Sequence, residues 1–343
     1  MARQNATNFT GGLQFPYATA ATDLFKKEDV QTLALAVDQH DHTAGKGLSV
    51  APTAGSVTNA MLGPDVARAN LLTNGGFEIW QRGNGPFATA GAWSADRWSN
   101  SAQAGDSLSI SRDTANADGA PSGACAACTF TRGGSGTSTL LNTLVVSTDY
   151  AALRGKTVTL SIRVRTSVAS AVRAFLQVDS TPALGTIHTG DGTYQTLTVS
   201  AAVPAGATSV YVGVSLMATC TAYIDNACLV VGSQAVNYVP LHPADDLARC
   251  LRYYEVLYGE LQGYAAAGAT AAYGLSFKVP KAVSPTLTRV GTWTVTNCSQ
   301  PNPGPRTGKD TQGCYLASVV TAAGSFSFVP DLSGMYLTAE SNP

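Results

Sequence analysis

The chain has 343 residues, which is long enough for two or three domains, and only 13% of them are charged. Its 21 basic and 22 acidic side chains nearly cancel, which argues against a nucleic-acid-binding protein, because such proteins carry a basic excess. No run of about 18 apolar residues occurs, and the first ten residues lack an apolar signal core. The sequence therefore predicts neither a membrane-spanning helix nor a secretory signal peptide.

Residues 1–69 contain one amphipathic stretch in an otherwise irregular segment. Its apolar residues recur at helical spacing with charged residues opposite them, and they are Leu24, Val30, Leu33 and Val37. This pattern predicts a short helix that begins near Leu24 and ends before His40. A helix of this length cannot bury its stripe alone, so it packs either against a neighbouring domain or against copies of itself around a symmetry axis.

Residues 70–235 show the alternation of half-buried strands. In residues 157–166, apolar side chains alternate with Thr, Ser and Arg, and residues 172–178, 210–216 and 223–231 repeat the pattern. Turn signals rich in Gly and Pro separate these runs, with no helical pattern between them. Such an arrangement predicts a two-sheet antiparallel sandwich.

Residues 236–343 begin with a second helical pattern and then return to short strands. Acidic residues after Pro243 mark the start of the helix, and its predicted apolar face consists of Leu247, Leu251, Tyr254 and Tyr258. The predicted strands cover residues 273–279, 286–290, 292–296, 315–320 and 325–329. The Pro-rich residues 301–305 cannot form a central strand, because Pro lacks the backbone N–H donor.

Catalytic motifs are absent from the sequence, which has four histidines and neither a nucleophile elbow nor a phosphate-binding loop. A glycosidase needs two facing carboxylates, but no spacing selects a pair among Glu78, Asp96 and Asp225. We therefore expect no enzymatic activity. Seven cysteines leave at least one thiol unpaired within the chain, and Cys298 and Cys314 flank a loop across which a disulfide is conceivable.

Several blocks of the sequence resemble virion proteins of tailed phages. NLLTNGGFEIWQRG at residues 70–83, with ADRW at 95–98, resembles the opening of a domain that recurs in phage fibres and is similar in pattern to jelly-roll carbohydrate-binding modules. YIDNACLVVGS at 223–233 resembles the closing strand of such domains. Residues 239–257 resemble the helix and strand that lead into the C-terminal β-domain of the same proteins, and residues 277–288 resemble one of their strands. HDHTAGKG at 40–47 resembles a linker near the N-terminal end of phage fibres.

This resemblance implies a mainly β fold with three parts. Residues 1–69 would be a short helical segment that attaches to other virion proteins, residues 70–235 an antiparallel jelly-roll-like sandwich, and residues 236–343 a second β-domain opened by a short helix. The implied protein is a structural component of a tailed phage or phage-like particle, as a tail fibre, a spike, or a head or collar fibre. We expect a homotrimer that is made in the host cytoplasm, resides in the virion and contacts a host-surface glycan, without nucleic-acid binding or membrane insertion. The alternative is a carbohydrate-binding protein of a glycan-degrading system.

The resemblance also suggests a calcium site. In carbohydrate-binding modules of this pattern, the Glu of the opening block and the Asp of the closing strand help to hold a structural calcium, and here these are Glu78 and Asp225. Two carboxylates with backbone carbonyls suit calcium, which takes six to eight oxygen ligands. The alternative is that both carboxylates bind backbone groups only. No other cofactor is expected.

Two further residue groups are candidate binding residues. Trp80, Trp93 and Trp98 cluster near the start of the sandwich, where exposed rings would stack on sugars and buried rings would fill the core. His40 and His42 lie on one side of an extended strand, because side chains alternate there. In a trimer, three such pairs would offer six nitrogens to an axial transition metal, and the alternative is a solvated loop.

Overall fold

The computed structural model describes residues 69–119, 123–306, 308–330 and 336–342, all of which belong to one compact unit. The predicted N-terminal helix and the pair His40 and His42 lie outside the described residues. The described chain is mainly β, as the sequence predicts, and its one α-helix is short. None of its helices combines the length and apolar character that a membrane crossing requires.

The first part of the fold is an antiparallel sandwich of two five-stranded sheets. Its strands are β1 (Trp98–Ser101), β2 (Ser107–Asp113), β3 (Cys125–Thr131), β4 (Ser138–Val145), β5 (Thr157–Arg165), β6 (Val172–Val178), β7 (Thr181–Ile187), β8 (Tyr194–Ala202), β9 (Ser209–Leu216) and β10 (Cys220–Val231). One sheet has the order β1-β4-β9-β6-β7 and the other has the order β2-β3-β10-β5-β8. This is the jelly-roll-like sandwich that the sequence predicts.

The sandwich core consists of the alternating apolar side chains of both sheets. The predicted strand at 157–166 is confirmed as β5, and Leu160 and Ile162 are fully buried. On the facing sheet, Val212 and Val214 of β9 are also fully buried. Alternation places their sequence neighbours on the outer face of each sheet.

The segment 70–76 is fastened to a bulge in β10, where the pairing with β5 shifts between Asp225 and Cys228. The Asn70 amide donates to the Ala227 carbonyl at 2.9 Å, and the Ala227 N–H donates to the Gly75 carbonyl at 2.8 Å. A Cβ at Gly75 would overlap the Ala227 carbonyl oxygen, so only glycine fits there. The two blocks that resemble the opening and closing of a virion domain thus meet in space.

The second part of the fold contains helix α1 (Pro243–Leu251) and nine short strands. These strands are β11 (Tyr254–Leu257), β12 (Leu261–Ala265), β13 (Thr270–Ser276), β14 (Thr286–Val290), β15 (Thr294–Thr296), β16 (Asn302–Pro305), β17 (Gly313–Val319), β18 (Gly324–Val329) and β19 (Tyr336–Glu340). They form three antiparallel sheets, β11-β19-β14, β12-β18-β15 and β13-β17-β16. The Pro-rich strand β16 pairs only with β17 and is an edge strand, as expected from its missing N–H donors.

The predicted face of the second helix is wrong in its extent. The helix ends at Leu251, and Tyr254 belongs to β11. Leu247 is 40% exposed and Tyr258 is 67% exposed, so these residues do not form one buried stripe. The helix instead lies against the start of the sandwich, where Asp246 accepts a hydrogen bond from the Asn74 N–H at 2.8 Å.

Two large hydrophobic clusters fill the described chain, and a small third one consists of Cys228, Val230 and Val236. The larger one lies in the sandwich and extends from Leu72 to Leu229, and the other lies among the C-terminal strands and extends from Leu257 to Ala339. The predicted domain boundary at residue 235 falls between the two large clusters, but the small one joins residues on both of its sides. Whether residues 70–235 and 236–343 fold independently stays a prediction.

All seven cysteines are buried and free, Cys298 and Cys314 included. Burial raises the pKa of the thiols of Cys220, Cys228 and Cys314 to about 11. A thiol with a raised pKa is rarely ionised at neutral pH, and the thiolate is the reactive form. These side chains therefore act as small apolar core residues.

Two arginines of the sandwich stack on consecutive tyrosines of the C-terminal part. The Arg97 guanidinium lies 3.7 Å from the centre of the Tyr253 ring, and the Arg82 guanidinium lies 3.6 Å from that of Tyr254. Arg97 is only 2% exposed and also donates to the Thr143 carbonyl and to Asn342. Stacked and hydrogen-bonded guanidinium groups couple the two parts through both dispersion and charge.

The C-terminal part contains an ion pair with no solvent contact. Glu255 of β11 and Lys281 are both fully buried, and their charged atoms are 2.7 Å apart. Lys281 also donates to the Leu251 carbonyl, and Glu255 accepts from the Lys278 N–H. The pair therefore joins the end of α1 and β11 to the loop before β14.

Removing one partner of this pair should be more harmful than replacing both. Lys281→Met leaves a buried carboxylate without its counter-charge and should lower the free energy of unfolding by about 3–5 kcal/mol. The double variant Glu255→Leu with Lys281→Met should regain most of that loss. Urea denaturation measures both effects, with exposed Glu260→Gln as the control. A single Lys281→Met variant as stable as the parent would contradict the prediction.

Candidate functional site

The outer face of the β1-β4-β9-β6-β7 sheet carries a groove of about 480 Å³. Ten uncharged residues line it, namely Ser101, Gln103, Thr137, Thr139, Leu141, Phe175, Gln177, Pro182, Leu184 and Tyr211. They come from all five strands of the sheet and from the segments beside β1 and β4. Pockets for small ligands typically hold about 300–1,000 Å³ and combine apolar walls with a few polar groups, so this groove has the size and lining of a binding site.

The register of the strands explains why the face is grooved. Gly213 of β9 lies between Leu141 of β4 and Phe175 of β6, and Phe175 pairs with Leu184 of β7. A Cβ at Gly213 would overlap the Leu140 carbonyl oxygen, so this central position stays without a side chain. The row formed by Leu141, Gly213, Phe175 and Leu184 therefore has a depression at Gly213, with apolar side chains rising on either side of it.

The adjacent row supplies an aromatic ring and an amide. Tyr211 of β9 pairs with Thr143 of β4 and with Gln177 of β6. Tyr211 and Gln177 are half-buried, whereas Gln103 at the groove's margin is exposed. The groove thus presents a ring face beside side-chain amides and hydroxyls, which both donate and accept hydrogen bonds.

One buried hydroxyl beside the groove has unused hydrogen-bonding capacity. Ser215 of β9 pairs with Thr139 and with Arg173, and it is fully buried on the same outer face. Its Oγ atom has no hydrogen-bond partner among the described residues. The neighbouring Arg173 donates from Nε to the Met217 sulfur at 2.8 Å and forms no hydrogen bond with the Ser215 hydroxyl.

The predicted sugar-stacking role does not fit Trp80 and Trp98. Trp98 is fully buried on Phe77 and donates to the Asn74 carbonyl at 2.9 Å, and Trp80 is only 9% exposed and stacks on Phe87. Rings buried in this way offer no face to a ligand, because the core has already covered them. Trp93 is half-buried outside the groove, and its role stays a prediction.

The two predicted calcium ligands differ in exposure, since Asp225 is buried and Glu78 is exposed. Asp225 is fully buried and accepts hydrogen bonds from the N–H groups of Asp118 at 2.9 Å and Asn226 at 2.7 Å. Glu78 is exposed and accepts from the Gly123 N–H. In the described part of the chain, no three His, Cys, Asp or Glu side chains cluster as metal ligands would. These contacts match the backbone-binding alternative, and the calcium site stays a prediction.

The groove residues were not singled out from the sequence, although a signal was present. The alternation at 172–178 and 210–216 identifies the buried residues of these two strands. The alternate positions hold Phe175 and Gln177 on one strand and Tyr211 and Gly213 on the other. An aromatic residue and a glycine on the solvent side of a strand indicate a surface with a raised ring beside a depression, as a binding site requires.

Asp96, the third carboxylate considered for catalysis, belongs to the contact between the two parts of the fold. It is 2% exposed, accepts from Gln81 and lies 3.5 Å from Arg82, which also pairs with Glu340. Burial raises the pKa of Asp96 to about 6, although Gln81 and Arg82 act in the opposite direction. The side chain is therefore placed for structure rather than for chemistry in the groove.

The raised pKa of Asp96 predicts a pH dependence of stability. A carboxyl whose pKa is higher in the folded state binds its proton more tightly there, so its ionisation destabilises the fold at neutral pH. The free energy of unfolding should rise by on the order of 2 kcal/mol as the pH falls from 7.5 towards 4.5, and Asp96→Asn should lose this rise. Denaturation at several pH values measures the slope. Asp245→Asn, at an exposed position of α1, should keep it, and an unchanged slope in Asp96→Asn would contradict the assignment.

Neither the protein-family models nor the curated proteins include a match to this sequence. Among solved structures, a CBM22-1 xylan-binding domain of Paenibacillus barcinonensis Xyn10C is 13% identical, with a TM-score of 0.33 over 50% of this chain and 100% of its own. A tandem CBM22 structure from the same protein is 8% identical, with a TM-score of 0.31 over 75% of this chain and 97% of its own.

A phage protein is also similar to part of the chain. The enzymatically active domain of tailspike protein 4 of bacteriophage CBA120 is 13% identical, with a TM-score of 0.32 over 48% of this chain and 21% of its own. This chain thus spans about a fifth of that tailspike structure. Similarities of this size do not assign a ligand to the groove.

Proposed function

We propose that the protein is a non-enzymatic virion component of a tailed phage that binds a neutral glycan in the groove of the β1-β4-β9-β6-β7 sheet. The observation that supports glycan binding is the lining of the groove, in which an aromatic ring and apolar side chains alternate with amides and hydroxyls, without a charge. The order of the virion-like sequence blocks supports the location. The alternative remains a carbohydrate-binding protein of a glycan-degrading system.

The chemistry of a sugar ring matches this lining. A pyranose has an apolar C–H face that packs on aromatic and aliphatic side chains, and a rim of hydroxyls that needs both donors and acceptors. Tyr211 and Leu141 offer the first kind of contact, and Gln103 and Gln177 offer the second. The low centre at Gly213 leaves room for the ring between the apolar ends of the row.

The absence of charge on the lining favours a neutral ligand. A charged group that enters a partly apolar cleft loses its hydration, and that loss is costly unless a counter-charge meets it. None of the ten lining residues supplies a counter-charge. A neutral polysaccharide loses less, because each of its hydroxyls exchanges a water for an amide or a hydroxyl of the groove.

Tyr211→Ala should weaken glycan binding by about tenfold or more, because it removes the ring while leaving the strand pairing intact. A glycan array of the full chain identifies a neutral ligand, and calorimetry with that ligand measures the loss. Tyr264→Ala is the matched control, since Tyr264 of β12 is 82% exposed and lies outside the groove. Unchanged affinity in Tyr211→Ala, or an array with no neutral glycan bound, would refute the groove as the binding site.

The virion assignment predicts a homotrimer joined to other virion proteins through residues 1–69. Light scattering of the full chain at micromolar concentration should give three times the chain mass of 35.3 kDa. Deletion of residues 1–69 should leave soluble β-domains that no longer enter particles. A monomer, or normal incorporation of the truncated chain, would contradict the respective part of the assignment.

A further inference from the structure

A second cleft, of about 320 Å³, lies where the helix α1 meets the start of the sandwich. Its walls are residues 69–73, the turn at 149–150 and the end of α1 at 249–253. It shares no lining residue with the groove on the outer sheet face. Whatever this cleft binds is therefore recognised by different chemistry.

The side chains of this second cleft carry an excess of positive charge. Within the lining, Arg249 and Arg252 face one carboxylate, that of Asp149, and Arg249 also interacts with the Asp246 carboxylate of α1. The two oxygens of Asp149 are engaged by Arg252 at 2.8 Å and by the Tyr253 hydroxyl at 2.8 Å. Arg249 makes only one hydrogen bond within the described chain, to the Asn70 carbonyl at 3.3 Å. Most of its donors are therefore available to a ligand.

The arrangement of the arginines keeps this excess concentrated. Arg249 and Arg252 are three residues apart, which makes them neighbours on one side of the helix end, where like charges repel. Arg97 adds a third positive charge behind the Tyr253 ring, 3.7 Å from its centre. The lining thus holds two guanidinium groups and one carboxylate, and behind it lie the Arg97 guanidinium and the Asp246 carboxylate.

The carbonyl groups at the end of α1 do not neutralise this charge. The Ala248 carbonyl accepts from the Arg252 N–H, the Cys250 carbonyl accepts from the Tyr253 N–H, and Lys281 binds the Leu251 carbonyl. Carbonyls that already have donors contribute less negative potential to the cleft than open ones would. The cleft therefore suits an anion rather than a cation.

We propose that this cleft binds a small oxyanion, a carboxylate or a phosphate, with Arg249 as the principal contact and Arg252 as the second. A guanidinium group offers two parallel N–H donors that match the paired oxygens of either anion. The proposal is independent of the neutral-glycan groove. The groove would then bind a neutral ligand and the second cleft an anionic one.

Calorimetry of the full chain at low ionic strength tests the proposal with three probes, namely galacturonate, inorganic phosphate and galactose. We expect galacturonate, phosphate or both to bind with an affinity that falls as salt is added, and galactose not to bind in the cleft. Binding of galacturonate alone identifies a carboxylate source, and binding of phosphate alone identifies a phosphorylated one. Binding of neither anion at roughly 10 mM would overturn the proposal.

Variants then locate the bound anion. Arg249→Gln should weaken anion binding about tenfold or more, and Arg249→Lys, which keeps the charge but loses the paired donors, should fall between it and the parent. Tyr211→Ala should leave anion binding unchanged, so failure of the groove and failure of this cleft are distinguishable. Thermal unfolding confirms that the Arg249 variants are folded, which we expect because the residue is exposed. Undiminished anion binding in Arg249→Gln would overturn the assignment.

Discussion

The segment from Asn70 to Gly76 and the bulge of β10 form the contact on which the rest of the structure depends. Asn70 binds backbone groups on both sides of the bulge, and a glycine at position 75 lets the two backbones touch. Asn74 then extends the contact in two directions, since its N–H binds Asp246 of α1 and its carbonyl accepts from Trp98. One short turn thus orders the first sheet, the closing strand and the helix.

The groove and the second cleft depend to different degrees on this contact between residues 70–76 and β10. The groove lies on strands β4, β9 and β6, whose register is set by their own pairing and by the sandwich core. The second cleft, where α1 meets the start of the sandwich, has residues 69–73 as a wall, so it depends on the position of that segment. A change in the turn should therefore alter the second cleft before it alters the groove.

The cation–π contacts at the border of the two parts add a second constraint. Arg82 and Arg97 reach from the sandwich to consecutive tyrosines, and consecutive residues of a strand point to opposite sides. The start of β11 is therefore held from both of its faces.

The sequence predicted the strands with clear alternation, but it predicted neither the remaining strands nor the surface, for a physical reason. Alternation in residues 157–166 and 210–216 marks one buried side, and that side is confirmed. The same pattern does not say which tryptophan is covered, because Trp98 is buried by Phe77 and by residues distant in the chain. Nor does it pair Gly213 with Leu141 and Phe175, since strand order arises only in the folded sheet. The predicted face of α1 includes Tyr254, but that residue pairs with Glu340 in β19 and contacts Arg82, partners that are distant in the chain.

The seven buried thiols have a consequence for the life of the molecule. A protein that relies on disulfides acquires its final covalent form only after it meets an oxidising medium. Here the core is complete with every cysteine reduced, and the raised pKa values of Cys220, Cys228 and Cys314 slow any exchange with external thiols or disulfides. The described part of the fold therefore has the same covalent structure under reducing and under oxidising conditions.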